Sequence, residues 1–374
     1  MEHHGGCELL TTKRREYDED DVRVRATRGS RPRTRTRPRH EDAIEGFVIA
    51  VDRGRYTVWL DETAITAMRA RELGRKSVVV GDRVSLVGDV SGAAGALARI
   101  VRIQERTSVL RRTADDDDTT AEGRLERVVV ANADQLVIVS ALADPPPRTG
   151  FIDRCLVAAY DAEIEPILLL TKADLATPDA ILDYYTALDV PHLLTGPGSD
   201  LSGVREALAG QVSVLVGHSG VGKSTLVNRL IPGTDRAVGA VSAIGKGRHT
   251  STSVVALRLP PVGSAPAGGG REATPARRAR ITAQDPGWII DTPGIRSFGL
   301  AHVSADSLLH GFLDLVEGTV ECPPNCDHMP RADSAACALD AWVASGHADE
   351  RRLASFRRLL ASRTSADDSD QTAT

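Results

Sequence analysis

The sequence predicts a multi-domain chain. It should comprise an N-terminal β-barrel of the OB-fold kind, a central α/β domain built around a phosphate-binding loop, and a C-terminal helical domain that binds a metal. Three observations predict this. Short apolar strands broken by Gly and Asp turns fill the stretch from Glu45 to Ile103. From Asp134, buried-strand runs alternate with helical patterns, and a glycine-rich loop joins one strand to the helix after it. After Gly299 the pattern turns helical, except where cysteines and a histidine cluster.

A chain of 374 residues is long enough for two or three domains. With 41% hydrophobic and 26% charged residues it reads as a soluble globular protein. No run of about 18 apolar residues suggests a membrane helix, and Met1 to Leu10 lacks the pattern of a signal peptide. A cytoplasmic, monomeric protein with no membrane partner is expected. The net charge of -5 excludes a general polycation.

The charge is uneven, however. Residues 1–40 read as a disordered tail. Within it Arg23, Arg25, Arg28, Arg31, Arg33, Arg35, Arg37 and Arg39 stand with no acid and no aromatic residue between them. Such a run buries no core. It is either a clamp for RNA phosphates or a solvated tail. The excess of arginine over lysine throughout, 41 against five, points to a GC-rich genome and accounts for part of the bias.

Residues 41–113 hold the runs EGFVIAVD, RYTVWLD, SVVVGDRVSLVG and ALARIVRI. Roughly five strands in about 60 residues fit an OB-fold, a common RNA-binding module, although an SH3-like barrel has a similar pattern. Residues 121–300 form the α/β domain. QLVIVSA from Gln135, EPILLLT from Glu165 and QVSVLVG from Gln211 are buried-strand runs, with helical patterns from Thr149 to Tyr160 and from Asp179 to Leu188. Strands alternating with helices indicate a parallel sheet with crossover helices. SVVALRL from Ser253 and GWIIDTPG from Gly287 are expected to continue it. Between those two lies a Gly/Ala/Pro/Arg-rich insertion, roughly Val262 to Ala279. Residues 301–362 form the helical domain, with helices expected at Ala335–Ser345 and Asp349–Ser362, and residues 363–374 a disordered tail.

Gly217-His218-Ser219-Gly220-Val221-Gly222-Lys223-Ser224 matches GxxxxGK[ST] between the strand VSVLV and the helical TLVNRLI, which starts at Thr225. Glycines let backbone N–H groups converge on phosphate oxygens, and the helix N-terminus adds a favourable dipole. Lys223 is expected on the β- and γ-phosphates and the Ser224 hydroxyl on Mg²⁺. An accidental match somewhere in such a chain has a probability of roughly 1% at average glycine content.

Thr171-Lys172-Ala173-Asp174 ends the strand PILLL. It resembles the [NT]KxD motif of GTPases, whose Asp carboxylate accepts hydrogen bonds from guanine N1–H and N2–H₂, a donor pair that adenine lacks. Leu194-Thr195-Gly196 is the candidate loop for backing the base. Asp291-Thr292-Pro293-Gly294 ends the strand WII and matches DxxG, in which Asp291 would hold a Mg²⁺-bound water and Gly294 would meet the γ-phosphate. Ile295 stands where many GTPases carry a water-positioning Gln. The first switch belongs at Gly245–Thr250, with Thr250 as Mg²⁺ ligand and His249 as the candidate catalytic residue that positions water. An RNA-facing or structural role for His249 is the competing reading.

Cys322, Cys326, His328 and Cys337 offer three thiolates and an imidazole, the donor set of a closed, structural Zn²⁺ site. Cys7 and Cys155 fall outside it.

The guanine motif therefore precedes the phosphate loop, whereas in ordinary GTPases it comes last. This permuted order, with the barrel ahead of it, GHSGVGKST, GKGRHTST, DTPGIRSFG and the Cys/His knuckle, resembles the bacterial small-subunit-dependent GTPase A family over nearly the whole chain after residue 40. Its Cys/His spacing departs from the family's usual one. The resemblance implies a circularly permuted GTPase that turns GTP into GDP and phosphate and is stimulated by the 30S subunit. It also implies a role in late 30S maturation, with 16S rRNA contacted by the barrel and the zinc domain. A GTPase with another partner, an RNA-binding protein with negligible turnover, and an ATPase are the rivals.

Overall fold

The computed structural model describes residues 40–52, 54–74, 78–112, 127–232, 254–261, 286–292, 298, 300, 303–330 and 337–363. The arginine run 23–39, residues 245–250 with His249 and Thr250, the insertion 262–279, Gly294, Ile295 and the tail 364–374 lie outside them.

Five strands come first: β1 (Ile44–Asp52), β2 (Arg55–Leu60), β3 (Thr63–Arg69), β4 (Arg83–Gly88) and β5 (Ala98–Ile103). They pair in the order β1-β2-β3-β5-β4, and β4 returns to β1, so the sheet closes into a barrel. The first half of β1 faces β4 and the second half faces β2. Alternate residues point inward and fill it: Val48, Tyr56, Val58, Ile65, Ala67, Val84, Leu86 and Ile100. β3 is the strand that the apolar runs did not reveal, because Thr and Ala separate its two large apolar residues, Ile65 and Met68. β6 (Val109–Arg112) and β7 (Arg127–Ala131) form a separate two-stranded ribbon.

The α/β part runs β8 (Gln135–Ala141), α1 (Thr149–Asp161), β9 (Glu165–Thr171), α2 (Asp179–Tyr185) with a 3₁₀ turn at Thr186–Leu188, and β10 (His192–Leu194). It continues with α3 (Ser202–Leu208), β11 (Val212–Val216), α4 (Lys223–Leu230), β12 (Val255–Arg258) and β13 (Trp288–Asp291). The order β10-β9-β8-β11-β13 is parallel throughout. β8 and β11 are buried along their whole length because both faces are covered. Leu136, Ile138, Leu168, Leu170, Val214 and Ile290 face α1 and the C-terminal helices. Val137, Val139, Leu169, Leu215 and Ile289 face α3 and α4.

β12 departs from the expected parallel sheet: it runs antiparallel to β13. A parallel pair needs a crossover, usually helical, and the Gly/Ala/Pro/Arg-rich sequence between these strands carries no helical pattern. The other edge of β12 meets β1 at Ala50↔Val255, so the barrel and the α/β sheet are continuous.

The C-terminal part has α5 (Ala305–Leu309), α6 (Leu313–Val316) leading into a 3₁₀ turn at Glu317–Glu321, α7 (Ala338–Ala344) and α8 (Glu350–Ser362). Leu353, Phe356, Leu359 and Leu360 of α8 share one core with Phe151, Ile152 and Leu156 of α1. No helix among the described residues is long and apolar enough to cross a membrane.

Candidate nucleotide and metal sites

In an open parallel sheet, ligands bind beyond the carboxyl ends of the strands. Here β9 ends at Thr171, β11 at Val216 and β13 at Asp291, and all three run the same way with β8 between β9 and β11. The three motifs are therefore delivered to one edge.

Gly217 lets the loop leave β11 against β8: a Cβ there would lie 2.6 Å from the Val139 carbonyl oxygen. Gly220 and Gly222 hold positive φ of 85° and 89°, which favours glycine. Ser224 and Thr225 are exposed on the first turn of α4. The His218 ring turns sideways onto Phe151 of α1, with centroids 4.2 Å apart.

Two bonds tie the motifs together. The buried Thr171 hydroxyl donates to the Val221 carbonyl in the phosphate loop at 2.5 Å. Lys223 Nζ donates to Asp291 Oδ1 at 2.5 Å, so the lysine of GxxxxGK[ST] and the carboxylate of DxxG stand in contact. Thr292, which motif reading passed over, donates its buried hydroxyl to the Leu215 carbonyl at 2.8 Å and fixes the exit of β13 to β11. Lys172 has a left-handed backbone, φ 56°, and its ammonium donates to the Asp144 carbonyl.

Asp174 is exposed beside the loop that begins at Leu194. Ala173 N–H donates to the Thr195 carbonyl at 3.2 Å, and Thr195 N–H to that of Leu170 at 2.8 Å. A Cβ on Gly196 would lie 3.3 Å from Asp174 Oδ1. Arg229, on the last turn of α4, donates to the carbonyls of Gly196 (3.0 Å) and Ser199. Arg205 of α3 donates to the carbonyls of Leu230 (3.0 Å) and Arg229 (2.9 Å), closing the end of α4. No local sequence signal marks either arginine, since their partners lie 24 to 33 residues away.

The ligand atoms of Cys322, Cys326, His328 and Cys337 all lie within 4.8 Å of one another. Cys322 Sγ stands 3.5 Å from His328 Nδ1 and 3.8 Å from Cys337 Sγ, and Cys337 Sγ stands 3.6 Å from His328 Nδ1. A tetrahedron with Zn–S of about 2.3 Å and Zn–N of about 2.0 Å has S–S edges of about 3.8 Å and S–N edges of about 3.5 Å. Cys322, His328 and Cys337 thus match three corners of a tetrahedral soft-metal site, with Cys326 in reach of the fourth. Burial, with the neighbouring thiols of Cys322 and Cys326 adding to it, pushes the Cys337 thiol up to about 12; a divalent cation reverses that penalty by binding the thiolate. Burial also lowers the His328 imidazole, which favours the neutral ligand form. Arg357 Nε donates to the His328 carbonyl at 2.8 Å while its other nitrogens hold Asp340, which braces the histidine loop against α7 and α8.

A family model described as RsgA GTPase matches residues 103–266. The small ribosomal subunit biogenesis GTPase RsgA of Chlorobaculum parvum is 33% identical over 294 residues, covering 77% of this chain and 86% of that protein. Its counterpart in Azotobacter vinelandii is 36% identical over 296 residues, covering 76% and 75%. With the Ectopseudomonas mendocina protein of the same name, identity is 40% over 244 residues, 63% of each chain. That match, like the 66% coverage of the Pseudomonas aeruginosa relative, falls short of two thirds of the relative's length. Two solved structures share the fold: YjeQ from Thermotoga maritima (22% identity, TM-score 0.56, 85% of this chain and 98% of that one) and YloQ, a circularly permuted GTPase (23%, TM-score 0.54, 86% and 96%). Identity above 30% along most of a relative's length, with the family match across the phosphate loop, shows that this chain belongs to the RsgA GTPase family.

Proposed function

We propose that this protein binds GTP, hydrolyses it to GDP and phosphate, and uses that cycle on the maturing small ribosomal subunit. The observation that carries the reading is the pair of contacts joining three motifs at one sheet edge: Thr171 to the phosphate loop, and Lys223 to Asp291. A guanine reader and a phosphate cradle so connected recognise one ligand at both ends. Asp174 accepts from the guanine edge, held in place by Gly196 and Thr195. The loop N–H groups of residues 217–222 and Lys223 neutralise phosphate charge.

Mg²⁺, held by Ser224 and Thr250 with Asp291 on one of its waters, would supply charge stabilisation for the departing phosphoryl group. His249 orients the attacking water, the part that Ile295 cannot play. The Cys₃His site holds one structural Zn²⁺. The barrel and the arginine run bind 16S rRNA, and the protein works as a cytoplasmic monomer. The names of the RsgA relatives support the ribosomal part of this reading.

GTPase rate with no subunit, 30S or 50S subunits tests it. Stimulation by 30S alone is expected, and equal stimulation by both, or none, overturns the ribosomal reading. His249→Ala should lower the stimulated rate and leave GTP affinity within about twofold; weakened binding would make His249 a ligand instead.

A further inference from the structure

The C-terminal domain presents an apolar row that its own core does not use. Leu313, Val316 and Val320 recur at i, i+3 and i+7 through α6 and the 3₁₀ turn, and they are 75%, 39% and 82% exposed. Isolated exposed apolar residues are ordinary; three clustered along a helix and the 3₁₀ turn that continues it are an interaction signature. The opposite side of the element is fixed. Phe312 and Leu315 are fully buried, and Gly318 sits under the Trp342 ring, where a Cβ would be 2.5 Å from Cγ. Arg352 Nε bonds both Asp314 oxygens at 2.7 and 2.8 Å, and Trp342 Nε1 bonds the Asp314 carbonyl at 2.9 Å. The row is thus held rigidly outward.

Its first residue, Leu313, lines a groove between the α/β sheet and the helical domain, together with Glu165, Asp189, Pro191, His310 and Asp314 among others. The rim is acidic. Glu165 and Asp189 are exposed in the groove, and Glu317 and Glu321 are exposed on the same turn as the apolar row. The cation in the lining, Arg352, is spent on Asp314. Such a surface repels nucleic-acid phosphate and complements a basic protein segment.

We propose that this face docks a cationic protein segment, in which aliphatic residues meet Leu313, Val316 and Val320 while Lys or Arg side chains meet Glu165, Asp189, Glu317 and Glu321. The inference rests on the small-subunit reading above, in which the partner particle carries both RNA and basic proteins. It assigns this face of the C-terminal domain to protein, not to rRNA.

A photo-crosslinking residue at position 320 or 313 of the full chain, incubated with 30S subunits and a non-hydrolysable GTP analogue, tests it. The expected product is a covalent adduct with one or a few basic ribosomal proteins, reduced at least tenfold by Glu317→Lys combined with Glu321→Lys. An adduct with 16S rRNA, an adduct with a second copy of this chain, or no adduct while the chain co-sediments with 30S would each overturn the proposal. Failure of the chain to co-sediment with 30S at all would overturn the ribosomal reading itself. Crosslinks from an Arg99 position on the barrel, scored in the same way, provide the control for general proximity to the particle.

Discussion

At the scale of single residues, the guanine end of the proposed site would depend on one hydroxyl. Thr171 is buried and donates to the Val221 carbonyl inside the glycine-rich loop, so it links the TKAD segment to that loop. Thr171→Val keeps the shape and removes the donor. The Val221 carbonyl then loses its partner in a buried place, at a cost of about 1–3 kcal/mol. Part of that cost appears as a displaced loop, and GTP and GDP affinity should fall roughly tenfold in a fluorescent-nucleotide titration. Thr171→Asn restores a donor and should recover most of the loss. If Thr171→Val bound both nucleotides like the parent, the link would have no part in binding. Gly196 makes the second residue-scale case. Its hydrogen faces the Asp174 carboxylate, and an added methyl 3.3 Å from Oδ1 must displace that carboxylate by a few tenths of an ångström. Gly196→Ala should weaken guanine binding severalfold while thermal stability stays within about 0.5 kcal/mol, the range of surface changes.

At the scale of elements, α4 would serve both ends of the proposed nucleotide. Its first turn carries Lys223 and Ser224, and its last turn carries Arg229, which grips the Gly196 and Ser199 carbonyls. Arg229→Ala should free the 196–199 loop, so that discrimination between GTP and inosine triphosphate falls while phosphate-end contacts persist. Arg229→Lys should not rescue it, because an ammonium lacks the planar fork that spans two acceptors. Unchanged discrimination in a folded Arg229→Ala protein would remove the residue from the base site. The metal knuckle belongs to the same scale. Chelation should lower the melting temperature of the C-terminal helices, and Zn²⁺ should restore it. Zinc binding must displace thiol protons, Cys337 having been pushed up to about 12, so affinity for the metal should rise with pH.

These elements differ in how far the sequence disclosed them. The phosphate loop and the parallel strands were legible because glycine spacing and unbroken apolar runs are local signals. β3 was hidden because Ala and Thr give it little contrast with a loop. The antiparallel course of β12 and its pairing with β1 were hidden because strand direction is set by partners elsewhere in the chain. The clamps by Arg205, Arg229, Arg352 and Arg358 had no signature for the same reason. Their side chains find carbonyls and carboxylates as far as 205 residues away, and nothing in the neighbouring sequence encodes that choice.

For the whole molecule, the decisive contact lies between α1 and α8. The first half of α1 carries Phe151, packed at a tilt against His218 of the glycine-rich loop, and two residues later Asp153, paired with Arg358 of α8 at 3.1 Å. One helix thus touches the proposed nucleotide site and the C-terminal domain, which gives a packed route between them. Asp153 is 5% exposed, and burial raises its carboxyl pKa even though Arg358 and the Tyr185 hydroxyl, at 3.0 Å, pull it down. Arg358→Ala strips the main counter-charge and also the stacking of the guanidinium over Tyr184, 4.3 Å from the ring centre. Removing one partner of a buried pair costs about 3 kcal/mol, the low end of the usual range because Arg358 is partly exposed. A carboxyl whose folded pKa lies above its unfolded one destabilises the fold when ionised, fully at pH above the folded value, and the penalty disappears as pH falls toward the unfolded value. The stability gap between parent and Arg358→Ala, taken from paired urea titrations, should therefore be widest near neutral pH and narrow as the pH is lowered toward 4. Asp153→Asn added to Arg358→Ala should narrow the neutral gap as well, since no buried charge remains. A gap that stayed constant across pH would mean that Asp153 is not held as a strained, buried carboxylate, and the α1–α8 contact would then rest on its apolar packing alone.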